Sequence, residues 1–328
     1  MSRSSSSISS SERRAARRFL KKGLLFSLPF ACYAAFVFFS DPFNFFGAPS
    51  LISDETKFRT AAQLNPCFWK MNQFRRAPRS KILLGDSRML ALRAEMVREA
   101  SGEDYFNFAY GGASLREMID TFWFAARRTK LEKVYVGLSL NVYNDYNVTD
   151  RAKLFTSVEA NPALYFVNRT VLESALYGAH STLTGTDPKL GVPTMSREAF
   201  WQDQLQNVTG AYYKSYVYPS KYKQELRKIA DYCREQGIEL AFIIFPTHAD
   251  ARRLVADFRL EHENELLRKD LAEMGTVYDF DYENEVTMNA ANFDDPNHYT
   301  RPIGEMIVRE VWRGQLQYAR KYERTSGL

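Results

Sequence analysis

The 328-residue chain is short of several residues that chemistry commonly uses. It has three cysteines and four histidines, no CxxC pair and no Cys/His cluster at zinc-ligand spacing, so neither a structural zinc nor a dithiol redox centre is expected. Cys32 lies in an apolar segment. Cys67 and Cys233 fit either one disulfide in an oxidising compartment or two free buried thiols. The turn Ala109-Tyr110-Gly111-Gly112-Ala113-Ser114 lacks the Lys-Ser/Thr pair of a phosphate cradle, and no cofactor is implied. There is no internal repeat. The formal charge of +5 is misleading, because residues 1–22 hold seven of the 44 Lys/Arg and one of the 39 Asp/Glu. The remainder carries 37 bases against 38 acids, which gives no basic surface for nucleic acid.

What is present first is a topology signal. Residues 1–22 are polar, Ser-rich and basic, and are expected to form a disordered cytoplasmic tail. Gly23 to Phe39 are 17 residues without a charge, and 23–40 is expected to be a transmembrane helix at the short end of the usual range. Phe43, Phe45 and Phe46 suit an interfacial belt, and the basic cluster ahead of the segment predicts a cytoplasmic N-terminus on a single-pass inner-membrane protein. The body is then periplasmic or extracellular. A cleaved signal peptide, for which only poor cleavage sites lie near Ala31 to Ala35, and a buried helix are the alternatives. "RRFLKK" hints at a twin-arginine signal without its usual spacing. Sequons stand at Asn147, Asn168 and Asn207.

Residues 41–78 read as an irregular or short-helical juxtamembrane connector, and 79–320 as one α/β domain with an irregular insert at about 141–215. Strands are expected at 81–85, 105–110, 133–140, 238–246 and 276–280. Helices are expected at 88–100, 114–128, 220–237 (Ser220 as N-cap), 249–273 and 301–320, and a plain loop at 183–193. Strand–helix alternation with runs apolar throughout predicts a doubly wound parallel sheet flanked by helices, a three-layer sandwich of the flavodoxin-like kind. Sites in such sheets form at the carboxyl ends of the strands, where Ser87, Gly111-Gly112, Ser139 to Asn141 and His248 fall.

"KILLGDSRML" (81–90) ends a strand by presenting a hydroxyl at the mouth of a helix. Helix capping is the bland explanation; a nucleophile facing converging N–H groups and a helix dipole is the sharper one. A serine needs a base. His298, in the polar loop "NFDDPNHYT", has Asp295 three residues before it, so one segment supplies base and orienting carboxylate. Asp294 competes for the second role, and an Asx turn capping the last helix is the bland reading of the loop.

Gly85-Asp86-Ser87 with Asp295-x-x-His298 resembles the SGNH (GDSL-like) hydrolase superfamily, and "NFAYGG" supplies that family's second block through Asn107 and Gly112. The resemblance implies Ser87, His298 and Asp295 as catalytic, and an oxyanion hole built from Ser87, Gly112 and a third-block Asn. That block departs here: Ser139 stands at the Asn position and the nearest Asn is Asn141. Arg88, Tyr143 and His248 are candidate substrate-binding residues, and Tyr110, Tyr146 and Tyr299 further candidate aromatics. The wider pattern is similar to membrane-anchored SGNH-like proteins of bacterial envelopes. It implies a serine esterase or O-acyltransferase acting on acylated, often O-acetylated, envelope polysaccharide, with a membrane-bound acyltransferase as partner. A catalytically degenerate glycan-binding or assembly component is the other reading.

Overall fold

The computed structural model describes residues 10–187 and 195–323. The helices in chain order are α1 (Ser10–Ser40), α2 (Asp54–Arg59), α3 (Ala61–Leu64), α4 (Pro66–Arg76), α5 (Ser87–Ala91), α6 (Ala94–Ser101), α7 (Leu115–Ala126), α8 (Ala152–Ala160), α9 (Ala163–Val167), α10 (Arg169–Thr184), α11 (Arg197–Asp203), α12 (Gly210–Lys214), α13 (Ser220–Gln236), α14 (Ala249–Asp257), α15 (Glu261–Met274), α16 (Glu285–Met288) and α17 (Arg301–Arg313). The strands are β1 (Lys81–Leu84), β2 (Phe106–Asn107), β3 (Lys133–Leu138), β4 (Glu239–Ile244), β5 (Thr276–Asp279), β6 (Phe293–Asp295), β7 (His298–Tyr299) and β8 (Arg320–Tyr322). A π-helical stretch, Gln204–Thr209, joins α11 to α12. The chain divides into two compact units, Met1–Asn65 with Ser157–Leu190, and Pro66–Thr156 with Gly191–Leu328.

The first unit holds α1, whose Arg13–Ser40 portion is long and apolar enough to cross a membrane; only 11% of its most apolar window is buried. The helix starts at Ser10, so residues 10–22 are helical where the composition predicted disorder; residues 1–9 lie outside the described residues. Once a helix is nucleated, each added residue gains a hydrogen bond, so it runs back through the basic stretch. At its C-terminal end Asp41, fully buried at φ 32°, accepts the N–H groups of Phe45 (2.7 Å), Phe46 (3.1 Å) and Gly47 (3.0 Å) and the Tyr165 hydroxyl (3.0 Å). That turn buries Phe43 and Phe45, and Phe45 stacks on Tyr165 at 5.3 Å. These two rings are therefore packed inside the unit and are not free for an interfacial belt.

The second unit carries the sheet, in order β2-β1-β3-β4-β5-β8. The first five strands are parallel, in the flavodoxin-like order, and the unpredicted β8 adds an antiparallel edge. Side-chain alternation puts Leu83, Tyr135, Ala241 and Ile243 on one face, packed with Val97 of α6 and with Ile303, Ile307 and Val311 of α17. Ile82, Leu84, Val134, Val136 and Phe242, also buried, face the other way, where α7, α13 and α15 pack. The architecture is thus the doubly wound three-layer sandwich read from the sequence, with one strand reversed.

Several boundaries differ from expectation, for local reasons. The helix predicted at 88–100 breaks at Leu92-Arg93, because the Asn107 amide captures the carbonyls of Met89 (3.0 Å) and Leu92 (2.9 Å). The helix predicted at 249–273 breaks at Arg259, which adopts φ 57°. Pro219, not Ser220, is the N-cap of α13. The insert is largely helical rather than irregular, running through α8–α12, and 188–193 of its predicted loop lies outside the described residues. Cys67 and Cys233 are buried, free thiols.

Candidate active site

The site sits where the chain reverses its direction of travel across the sheet, at the carboxyl end of β1. Gly85 makes the turn possible: a Cβ there would lie 2.5 Å from the Met89 Cβ, so only glycine lets α5 begin this close to the strand. Asp86 caps α5, accepting the Arg88 N–H at 3.0 Å. Ser87 is the first helical residue. Its N–H and that of Gly112 find no acceptor among the described residues. With five residues α5 contributes little macrodipole, so the electrostatics rest on individual N–H groups rather than on the dipole expected from the sequence.

The Ser87 Oγ lies 2.7 Å from His298 Nε2, and His298 Nδ1 lies 2.6 Å from Asp295 Oδ2. The second oxygen of Asp295 accepts the N–H groups of Asn297 (2.8 Å) and His298 (3.1 Å). The choice between the two acids is made by strand alternation. On β6, Phe293 and Asp295 point inward while Asp294 is exposed. Phe293 and Tyr299 anchor the β6–β7 hairpin in the core. The Tyr299 hydroxyl donates to the Arg88 carbonyl at 2.5 Å, tying the histidine-bearing hairpin to the serine turn.

Asp86 and Arg88 form a buried ion pair beside Ser87, Nε to Oδ2 at 3.0 Å, and an Arg88 Nη2 bond to the Ser139 Oγ extends it. Burial opposes both charges, but the pairing prevails. Asp86 is held below the ordinary carboxylate range and Arg88 above its ordinary value. Ser139 is therefore occupied behind the site and does not line the cleft, whereas Asn141 does.

The cleft has a volume of about 220 Å³. Its lining comes from five stretches of chain: Asp86 to Arg88, Gly112 and Ala113, Asn141 to Asn147, Gln204 to Tyr212, and Asn297 and His298. Arg88 lines it but is buried in its ion pair, not extended toward a substrate. Two expected contacts fall elsewhere. Tyr143 is fully buried and donates to Asp270 at 2.7 Å, its residue type having suggested a sugar platform where packing claimed it. His248 caps α14 through Nδ1 and packs edge-on to Trp201; burial pushes its imidazole pKa down. Tyr110 and Tyr299 are likewise buried, while Tyr146 is half-exposed and meets the Tyr212 ring at 5.9 Å. Asn147, a sequon position, is buried in the cleft wall. The lining by Gln204, Val208 and Tyr212 was not expected from the sequence, although the three recur every fourth residue. Among the described residues no cluster of His, Cys, Asp or Glu could hold a metal ion.

A serine elbow thus follows the first strand and a D-x-x-H hairpin precedes the last large helix, on a sheet of flavodoxin-like order. No family model and no curated protein matches the chain. The solved structures to which it is similar include these two. One is a proposed lipolytic protein of the G-D-S-L family from Desulfitobacterium hafniense DCB-2, with 12% identity and a TM-score of 0.35 over 71% of this chain and 97% of that one. The other is a proposed acylhydrolase from Bacteroides fragilis NCTC 9343, with 8% identity and a TM-score of 0.35 over 75% of this chain and 95% of that one.

Proposed function

We propose that the protein is a membrane-anchored serine esterase or O-acyltransferase of the SGNH type. The observation that carries the reading is the unbroken chain Ser87 Oγ–His298–Asp295, with links of 2.7 and 2.6 Å, between segments 211 residues apart in sequence. His298 takes the Ser87 proton as the oxygen bonds to the ester carbonyl carbon. Asp295 holds the imidazole tautomer and stabilises the imidazolium. The developing oxyanion is received by the N–H groups of Ser87 and Gly112 and by the Asn141 amide. Collapse breaks the bond to the leaving alkoxide, which takes the proton from His298. Water or a sugar hydroxyl, deprotonated in turn by His298, resolves the acyl-enzyme and regenerates Ser87.

Neutral amides from Asn141 and Gln204, with the Tyr212 ring, favour a polyhydroxylated substrate over a charged one. We take this to be an O-acetylated envelope glycan. The charge-free core of α1, preceded by a basic stretch, supports a cytoplasmic N-terminus with the catalytic unit outside the plasma membrane. A membrane-bound acyltransferase is the partner such a transferase would need as acyl supplier. The engagement of Ser139 by Arg88 favours the second reading, a glycan-binding component without turnover. Acetyl-ester hydrolysis by the detergent-solubilised full chain separates the two. The enzyme reading expects turnover that disappears in Ser87→Ala, and a folded, inert wild type would overturn it.

A further inference from the structure

We propose that Arg151 is a positioning residue that orients and polarises the Gly112 N–H toward the cleft. The inference rests on the reading of that N–H as an oxyanion donor. The Gly111 carbonyl and the Gly112 N–H belong to one trans peptide and point in opposite directions. Arg151 Nη1 donates to the Gly111 oxygen at 3.0 Å. A cation on the carbonyl side therefore fixes which way the N–H faces. It also draws electron density from the amide and makes that N–H a stronger donor, because linked hydrogen bonds polarise one another. Preorganised donors of this kind stabilise the oxyanion without reorganising during the reaction.

The turn leaves this peptide little freedom once held. Gly112 adopts φ +63°, a left-handed conformation that glycine accepts without a steric penalty. The next peptide is gripped too: the Gly112 carbonyl accepts from Asn147 Nδ2 at 3.4 Å, and the Ala113 N–H donates to the Tyr110 carbonyl at 3.1 Å. Both peptides flanking the Gly112 Cα are thus tied, one by Arg151 and one by Asn147, from a single loop at 147–151. The Ser114 hydroxyl, donating to the Thr149 carbonyl at 2.7 Å, fastens that loop to the start of α7.

Arg151 is itself immobilised. Its backbone N–H and Nε donate to Glu117 Oε1 at 2.6 and 2.8 Å, and Nη2 donates to Oε2 at 2.8 Å. Glu117 has no solvent exposure and also accepts the Ser114 N–H at 3.2 Å, closing the capping box of α7. A bidentate guanidinium pair with this carboxylate uses Nε and Nη2 and leaves Nη1 for the Gly111 carbonyl. A lysine ammonium, a point charge without the planar fork, cannot hold both partners in this geometry. A purely structural ion pair would not require the Nη1 bond; a device for aiming the Gly112 N–H would.

The sequence offers a selective probe, because Gly111-Gly112 is the single Gly-Gly pair among 16 glycines. Full-length protein labelled with 1-¹³C,¹⁵N-glycine gives one carbonyl–amide correlation, reporting the carbonyl that Arg151 touches and the N–H it orients. In Arg151→Lys we expect both the Gly111 ¹³C and the Gly112 ¹H resonances to move upfield. We also expect kcat for acetyl esters to fall about 10- to 100-fold at nearly constant KM, a part of the loss for deleting a whole oxyanion donor. Fluorophosphonate labelling of Ser87 should slow by the same factor. Should Arg151→Lys fail to fold, the neutral pair Glu117→Gln/Arg151→Gln removes the cation without leaving a buried lone charge, and the same effects are expected. An unmoved correlation, or a moved one with unchanged kcat and labelling rate, would overturn the proposal. A wild type without turnover or labelling would overturn the functional reading instead, and the correlation would still decide whether Arg151 holds the turn.

Discussion

Replacing Asp295 with asparagine isolates what the carboxylate does for His298. Asp295 Oδ1 holds two backbone N–H groups and Oδ2 faces His298 Nδ1. An asparagine keeps its carbonyl oxygen on the backbone donors, so its NH₂ must face Nδ1. Nδ1 then has to accept, and the imidazole carries its proton on Nε2, the atom 2.7 Å from Ser87 Oγ. A protonated Nε2 cannot take the serine proton. The penalty for the wrong tautomer in a serine triad is ~10⁴ in kcat, about 5.5 kcal/mol at 1.36 kcal/mol per tenfold. Fold stability should change far less, by about 1–3 kcal/mol, because both backbone bonds survive. Initial rates on an acetyl ester, with thermal melts of the same samples, measure both. Asp294→Asn is the control: its side chain is exposed, and its rate should match wild type. Activity of Asp295→Asn within tenfold of wild type would refute the orienting role, and loss on Asp294→Asn alone would refute the inward assignment of Asp295.

Other outcomes follow from the same geometry. Asn141→Ala should lower kcat about 100- to 1,000-fold if its amide completes the oxyanion hole, whereas Ser139→Ala should leave kcat within a few-fold; steady-state kinetics separate them. Asn107→Ala removes the amide that holds the Met89 and Leu92 carbonyls and should cost about 1–3 kcal/mol in denaturant unfolding. Burial lowers the Lys70 pKa to about 8 from 10.5, while its Nζ donates to the Ala109 carbonyl at 2.6 Å. Between pH 8 and 10.5 the unfolded chain therefore binds the extra proton, and this residue's contribution makes stability rise with pH across that window. The wild-type-minus-Lys70→Met difference in melting should show this rise, worth up to about 3 kcal/mol; a flat difference would contradict it.

The central strands were legible because they are apolar on both faces and bounded by turn residues, as in Lys81–Leu84 and Glu239–Ile244, whereas β8 is polar and exposed and carries no such pattern. The elbow at Ser87 and the turn that pairs Asp295 with His298 were legible because local spacing fixes each. Asp294 and Asp295 were separable in principle, since Phe293 fixes the inward face of a short strand, but a three-residue strand leaves little pattern to read. The positions that failed depend on long-range partners. Tyr143 is claimed by Asp270, 127 residues away, and His248 by Trp201 and Phe293. Nothing local in Ser139 announces that Arg88 will take its hydroxyl. The Gln204–Thr209 π-helical wall likewise carries no local signature beyond its four-residue spacing, because widened turns arise from packing rather than composition.

Turnover at this site requires Ser87 to be an activated nucleophile. Treating folded, full-length protein with a fluorophosphonate and mapping the adduct by peptide mass spectrometry reads this out. One phosphonyl group is expected on the Ser87 oxygen, absent after His298→Ala. An unmodified serine in folded protein, or label on another residue, would contradict it.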